Sequence, residues 1–156
     1  MEIADLLSPE AVVSHIKVGS KKQLLQELAR HAAELTKLSE RRIYDTLAER
    51  EKLGSTGMGQ GIAIPHGRLQ GIEKMTGLFA RLDHPVDFGA ADDQPVDLVF
   101  LLLAPEGAGA DHLKALARVS RLLRNQSVCE KLRAASQTAA LYALLTEPSS
   151  ASSQAA

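Results

Sequence analysis

A chain of 156 residues, 45% hydrophobic and 24% charged, fits one domain with a sizeable buried core and leaves little room for a second independent one. Eighteen Lys and Arg against nineteen Asp and Glu give a formal charge of −1, so no global field holds nucleic acid or an anionic membrane and any anion site must be local. The start lacks the basic and apolar stretches of a signal peptide, and the longest apolar run, Leu98 to Ala104, is far too short to span a bilayer; a cytoplasmic location without membrane insertion is expected.

In chain order, Ala11 to Val18 is β-branched enough for a strand, and Ser20-Lys-Lys-Gln23 then offers a capping box that opens a helix with Leu24, Leu28, Ala32 and Leu35 inward. A second helix is expected from Glu40, capped by Ser39, to Leu53, with Ile43 and Leu47 inward, Arg50 continuing that stripe and Gly54 as the stop. Gly54 to Gly61, "GSTGMGQG", forms a glycine loop, followed by a short strand from Ile62 to Ile64. Two further strands are expected, Thr76 to Leu82 and Val96 to Leu103, the second apolar almost throughout and therefore central in its sheet. Asp111 is expected to cap a third helix with the stripe Leu113, Leu116, Ala117, Ser120 and Leu123, and shorter helices should cover Val128–Ala135 and Thr138–Leu145. Strands interleaved with helices argue an α/β sandwich, a single domain over residues 1–146 in which helices flank a mixed β-sheet, with a disordered tail at 147–156. Cys129 has no partner for an internal disulfide and reads as helix packing.

The glycine loop is no nucleotide cradle. It lacks a Gly-Lys-Ser/Thr ending and a following helix start, and it misses the dinucleotide spacing while leading into a strand. No serine stands in a nucleophile elbow, and the five histidines show no short-range metal-ligand spacing, so neither a metal nor a cofactor is expected. Lys114, Arg118 and Arg121 make a basic stripe, but with 3% aromatic residues it reads as a solvated helix face rather than a nucleic-acid surface.

What remains is "GIAIPHG", residues 61–67. Pro65 fixes its own φ and has no N–H, so it should end the strand, and Gly67 has no side chain to shield the imidazole of His66, which is thereby presented at a rim. Arg50, at the end of a helix leading into the glycine loop, can bring a guanidinium and the loop N–H groups toward His66; such donors suit a phosphoryl group, although a cation completing the helix dipole is the plainer reading of Arg50. His112 stands in the first turn of a helix, where the positive helix end disfavours imidazolium, but spacing alone does not bring it to His66.

The segment "REKLGSTGMGQGIAIPHGR", Arg50 to Arg68, resembles the active-site signature of phosphotransferase-system IIA components of the fructose/mannitol/nitrogen-regulatory group. The opening "LLSPEAVVSHIKVGSKKQLLQELA", the strand "QPVDLVFLLLAP" and the helix "DHLKALARVSRLL" follow the same pattern, and the loop leans toward the nitrogen-regulatory branch. The resemblance implies phosphorylation of His66 on Nε2 by an HPr-like phosphohistidine protein, with His112 beside it and Arg50 meeting the phosphoryl group. Ser55, Thr56, Gly57, Met58, Gly59, Ile62 and Gly67 are the further expected contacts for phosphate or partner, Met58 and Ile62 as apolar ones. A sugar-specific IIA component passing phosphate to a IIB domain and a binding module that only senses an anion are the competing functions. A neutral imidazole with one free ring nitrogen, ordinary pKa about 6.5, meets the need of a phosphoryl relay.

Overall fold

The computed structural model describes residues 1–147, so the expected tail lies outside the described residues from position 148 onward. Among the described residues six α-helices and six strands follow one another in this order: α1 (Ile3–Leu6), β1 (Val12–Ile16), α2 (Lys21–Thr36), α3 (Glu40–Lys52), β2 (Gly57–Gly59), β3 (Ile62–Ala63), β4 (His66–Leu69), β5 (Thr76–Val86), β6 (Val96–Pro105), α4 (Ala110–Leu123), α5 (Gln126–Ala134) and α6 (Thr138–Thr146). The expected α/β sandwich with a mixed sheet is the observed architecture.

The sheet runs β1-β5-β6-β3-β2, and β4 also pairs with β6. On one side β6 pairs antiparallel with β5; on the other it is parallel to β3 and then to β4. Successive residues of a strand face opposite sides, so the near-complete burial of Leu98 to Ala104 requires cover on both faces of β6, as its unbroken apolar run implies. That cover comes from helices: α3 packs on β4, α2 on β5, α4 on β6 and α6 on β1.

Local chemistry explains the helix starts. Ser20 Oγ accepts from Gln23 N, while Gln23 Oε1 reaches back to Gly19 N, one residue before the cap, so the box closes with a shift of one. Ser39 Oγ accepts from Arg42 N at the start of α3. The start of α4 departs from expectation: Gly109, at φ +55, is the N-cap, and Asp111 stands inside the first turn, where its charge complements the helix dipole. The inward row of α4 is His112, Ala115, Val119 and Leu123 rather than the stripe through Leu113, which is 67% exposed. Cys129 is buried, and its thiol donates to Leu123 O.

Candidate functional site

His66 is not a loop residue but the first residue of β4. Pro65 breaks the chain between β3 and β4 without ending its run along β6, because the Pro65 carbonyl accepts from Leu102 N at 2.9 Å and His66 then takes register with Leu102. Alternation along β4 puts His66 and Arg68 on one face and Gly67 and Leu69 on the other. Gly67 is needed for close approach: a Cβ there would lie 2.6 Å from Thr46 Cγ2 of α3. Its role is thus to let a strand and a helix meet rather than to leave the imidazole uncovered, because a side chain there would face Thr46 and not the ring.

His66 Nδ1 lies 2.9 Å from the carbonyl of Ile64, two residues earlier. A carbonyl only accepts, so the neutral ring carries its proton on Nδ1 and presents a lone pair at Nε2. Burial holds the His66 pKa below the usual imidazole value; the Ile64 hydrogen bond opposes this, and the positive charge of Arg50 adds to it. The ring is therefore neutral near pH 7.

The fold supplies what spacing could not. The centroids of the His66 and His112 rings are 5.6 Å apart with planes at 72°. Residue 66 sits beside Leu102 of β6, and the chain leaves β6 at Pro105 to enter α4, whose third residue is His112. His112 is only 6% exposed. Its Nδ1 accepts from Arg68 Nε at 3.1 Å, so its proton is on Nε2, and that nitrogen is buried with no hydrogen-bond partner. Burial first, and then the charges of His66 and Arg68, depress the His112 pKa.

Two shallow depressions meet at His66. One, of about 540 Å³, is lined by Thr46, Arg50, Leu53, Arg68, His112 and Leu113 among others. The other, of about 270 Å³, is lined by Ser55, Thr56, Gly57, Met58, Leu116 and Ser120 among others. His66 and Arg50 line both. Arg50 Nη1 donates to Gly54 O at 2.9 Å, securing the end of α3, so this guanidinium ties down the helix terminus and faces the site at once. A larger cavity, about 760 Å³, lies between the N-terminal segment and the 71–77 turn and includes none of the expected site residues.

The glycine loop behaves differently from expectation. Ser55 Oγ donates to Phe88 O and accepts from Gly57 N, while Thr56 gives both its N–H and its hydroxyl proton to Glu51. These donors are committed within the protein, so the loop amides of residues 56 and 57 do not converge on His66, and the Ser55 and Thr56 side chains offer no free proton to an anion. Gly59 lies at the far end of β2, at φ +95 against the Asp92 carboxylate. Ile62, 3% exposed and paired with Leu98, is a core residue and presents no surface to a partner. Met58 remains 39% exposed.

Two residues near the site escaped sequence reasoning. Glu51, with its side chain 5% exposed, receives Lys21 Nζ at 2.9 Å in addition to Thr56, and thereby pins the glycine loop. Nothing in the sequence announces that return of the loop onto the helix. Arg68 was readable in principle, since a residue two beyond His66 shares its face once the segment is known to be a strand. Among the described residues no group of three or more His, Cys, Asp or Glu is arranged to hold a metal ion, and no helix is long and apolar enough to cross a membrane.

Comparison with known proteins bears on the family and the fold. The family model described as "Phosphoenolpyruvate-dependent sugar phosphotransferase system, EIIA 2" matches residues 5–147. A nitrogen regulatory protein of Bradyrhizobium diazoefficiens is 62% identical over 148 residues, covering 95% of this chain and 97% of the relative. The crystal structure of the nitrogen regulatory protein IIA-Ntr from Neisseria meningitidis superposes with a TM-score of 0.87 at 41% identity, covering 92% of this chain and 99% of that one. The mannitol IIA of Escherichia coli, at 22% identity, shares the fold with a TM-score of 0.75 over 88% of this chain and 97% of its own. By family model, sequence and fold together, the chain belongs to the EIIA type-2 family of the phosphoenolpyruvate-dependent phosphotransferase system.

Proposed function

We propose that this chain is a cytoplasmic phosphocarrier that accepts a phosphoryl group on Nε2 of His66 from the phosphohistidine of an HPr-like donor, and that it reports the state of a nitrogen-linked relay to other proteins. The observation that carries the reading is the pairing of opposite tautomers, a lone pair at His66 Nε2 beside a buried, unpartnered N–H at His112 Nε2. Nε2 attacks phosphorus in line, the P–N bond to the donor histidine breaks, and its electron pair returns to the donor ring. Each ring keeps the proton on its other nitrogen, so no base is needed. The protein's part is alignment and stabilisation of charge on the phosphoryl oxygens, from the Arg50 guanidinium and the His112 N–H.

The surroundings fit a docked partner. Leu53, 84% exposed, Leu113 and Met58 ring the two depressions with apolar surface that a donor protein would cover, excluding water from the transfer. A phosphoryl group brings roughly −1.5 to −2 charge to this rim, enough to change which partners it accepts without a change of fold. The regulatory part rests on the nitrogen regulatory proteins to which the chain is similar over nearly its whole length.

The test is to offer the chain a phosphorylated HPr-like donor. Wild type should gain an acid-labile, base-stable phosphate and His66→Ala should gain none; labelling of the variant, or of neither protein, would refute the assignment and leave an anion-sensing module. Phosphorylated wild type offered a fructose- or mannitol-type IIB domain should retain its phosphate. Rapid transfer would turn the reading toward sugar transport.

A further inference from the structure

The free nitrogen of His112 is useful to a phosphoryl group in only one of its two neutral forms. With the proton on Nε2 it donates to a developing oxyanion; with the proton on Nδ1 it presents a lone pair and repels one. Isolated imidazole has no strong preference between the two, and neither helix position nor burial makes the choice. Arg68 does. Its guanidinium stays protonated and has no acceptor, so the 3.1 Å contact from Nε to His112 Nδ1 exists only if Nδ1 is bare. The side chain reaches that nitrogen because β4 aligns Arg68 with Ala104 and His66 with Leu102, placing the arginine two residues along the face that carries His66.

Resting on the phosphoryl transfer described above, we infer that Arg68 is a positioning residue that locks His112 in its Nε2–H tautomer and so keeps a donor beside the phosphoryl acceptor. The atom it protects is the one buried side-chain polar atom without a partner among the described residues, which is what a donor reserved for an incoming group looks like. A charge-assisted hydrogen bond of this kind biases the tautomer ratio by roughly 10-fold or more.

Histidine-¹⁵N NMR of the full chain tests this without any reaction. Wild type should show His112 with bare Nδ1 and protonated Nε2, Arg68→Met should show a mixture of tautomers, and Arg68→Lys, which keeps a cationic donor, should restore much of the wild-type pattern. In donor phosphotransfer, Arg68→Met should be slower by about 10-fold. In the His112→Ala background the same change should have no further effect, because Arg68 acts through that ring. An unchanged tautomer pattern in Arg68→Met, or a full additional loss of rate in the double variant, would overturn the inference. Should wild type accept no phosphate, the functional reading falls and the NMR spectra alone decide the role of Arg68.

Discussion

Replacing Gly67 with alanine tests how finely α3 and β4 set the distance between Arg50 and His66. The backbone there needs no positive φ, so an alanine is admissible conformationally and shortens the list of unfolded conformations, a gain of about 0.4–1 kcal/mol. Against this stands one contact: the added methyl would be 2.6 Å from Thr46 Cγ2, where carbon atoms settle at about 3.5–4.0 Å. Strand and helix must separate by roughly 1 Å, and overpacking of that order costs about 1–3 kcal/mol, so the net expectation is a loss of about 1–2 kcal/mol. With a urea dependence of about 2 kcal/mol per molar, the middle of the usual range, the unfolding midpoint should fall by roughly 0.5–1 M. Arg50 lies one helical turn beyond Thr46 on the same face, so the displacement reaches the site and should slow phosphoryl acceptance by up to about 10²-fold. Adding Thr46→Ala removes Cγ2 and leaves the nearest helix atom 3.8 Å away, an ordinary contact, so the double variant should recover both midpoint and rate. Wild-type behaviour of Gly67→Ala, or a loss that Thr46→Ala leaves unrepaired, would refute the reasoning.

The depressed pKa values of His66 and His112 make the unfolded chain bind more protons than the folded one as pH falls through about 6.5, so their contribution to stability is complete above that value and lost below it. Urea midpoints measured across pH 5 to 8 should therefore decline below about 6.5, less steeply in His66→Ala. On the proposed transfer, the rate of phosphoryl acceptance should hold at pH 6.5, because burial keeps His66 neutral there, and fall only at lower pH; a midpoint for the rate above the usual histidine value would contradict this. Glu51→Ala strands the Thr56 N–H and frees Lys21, and should cost about 1–3 kcal/mol while speeding amide exchange at residues 55–57; unchanged exchange would show that the carboxylate does not pin the loop.

What the sequence reveals and what it hides divide along the range of the interactions. The apolar run of β6 and the capping serines Ser20 and Ser39 are local signals, and the structure follows them. The start of α4 is local too, but Asp111 misleads because a glycine two residues earlier can adopt φ +55 and cap the helix without a side chain. Leu113 misleads because an apolar residue of the expected core stripe lines the depression at His66 instead, 67% exposed. Pro65 reads as a terminus in the sequence, yet a proline lacks only its donor, and its carbonyl still joins the ladder of β6. The meeting of His66 with His112 depends on parallel pairing of β4 with β6 and on where β6 hands the chain to α4, which no spacing between the two histidines encodes.

The two histidines are fixed by different kinds of partner, and the difference matters for how the site can vary. Burial disfavours a charged imidazole at either position, and the charge of Arg50 at His66 and those of His66 and Arg68 at His112 add to it, so the pair is held neutral, and a neutral ring is half donor and half acceptor. On the proposed transfer, the site therefore needs a device to decide which half faces the phosphoryl group. For His66 the device is a backbone carbonyl at Ile64, placed by the Ile64–Pro65 segment between β3 and β4, and no side-chain substitution removes it while that segment keeps its path along β6. For His112 the device is a side chain, Arg68, exposed on the strand and replaceable without touching the core. The proton of His66 is thus tied to the fold itself, whereas that of the ring opposite it can be adjusted one residue at a time.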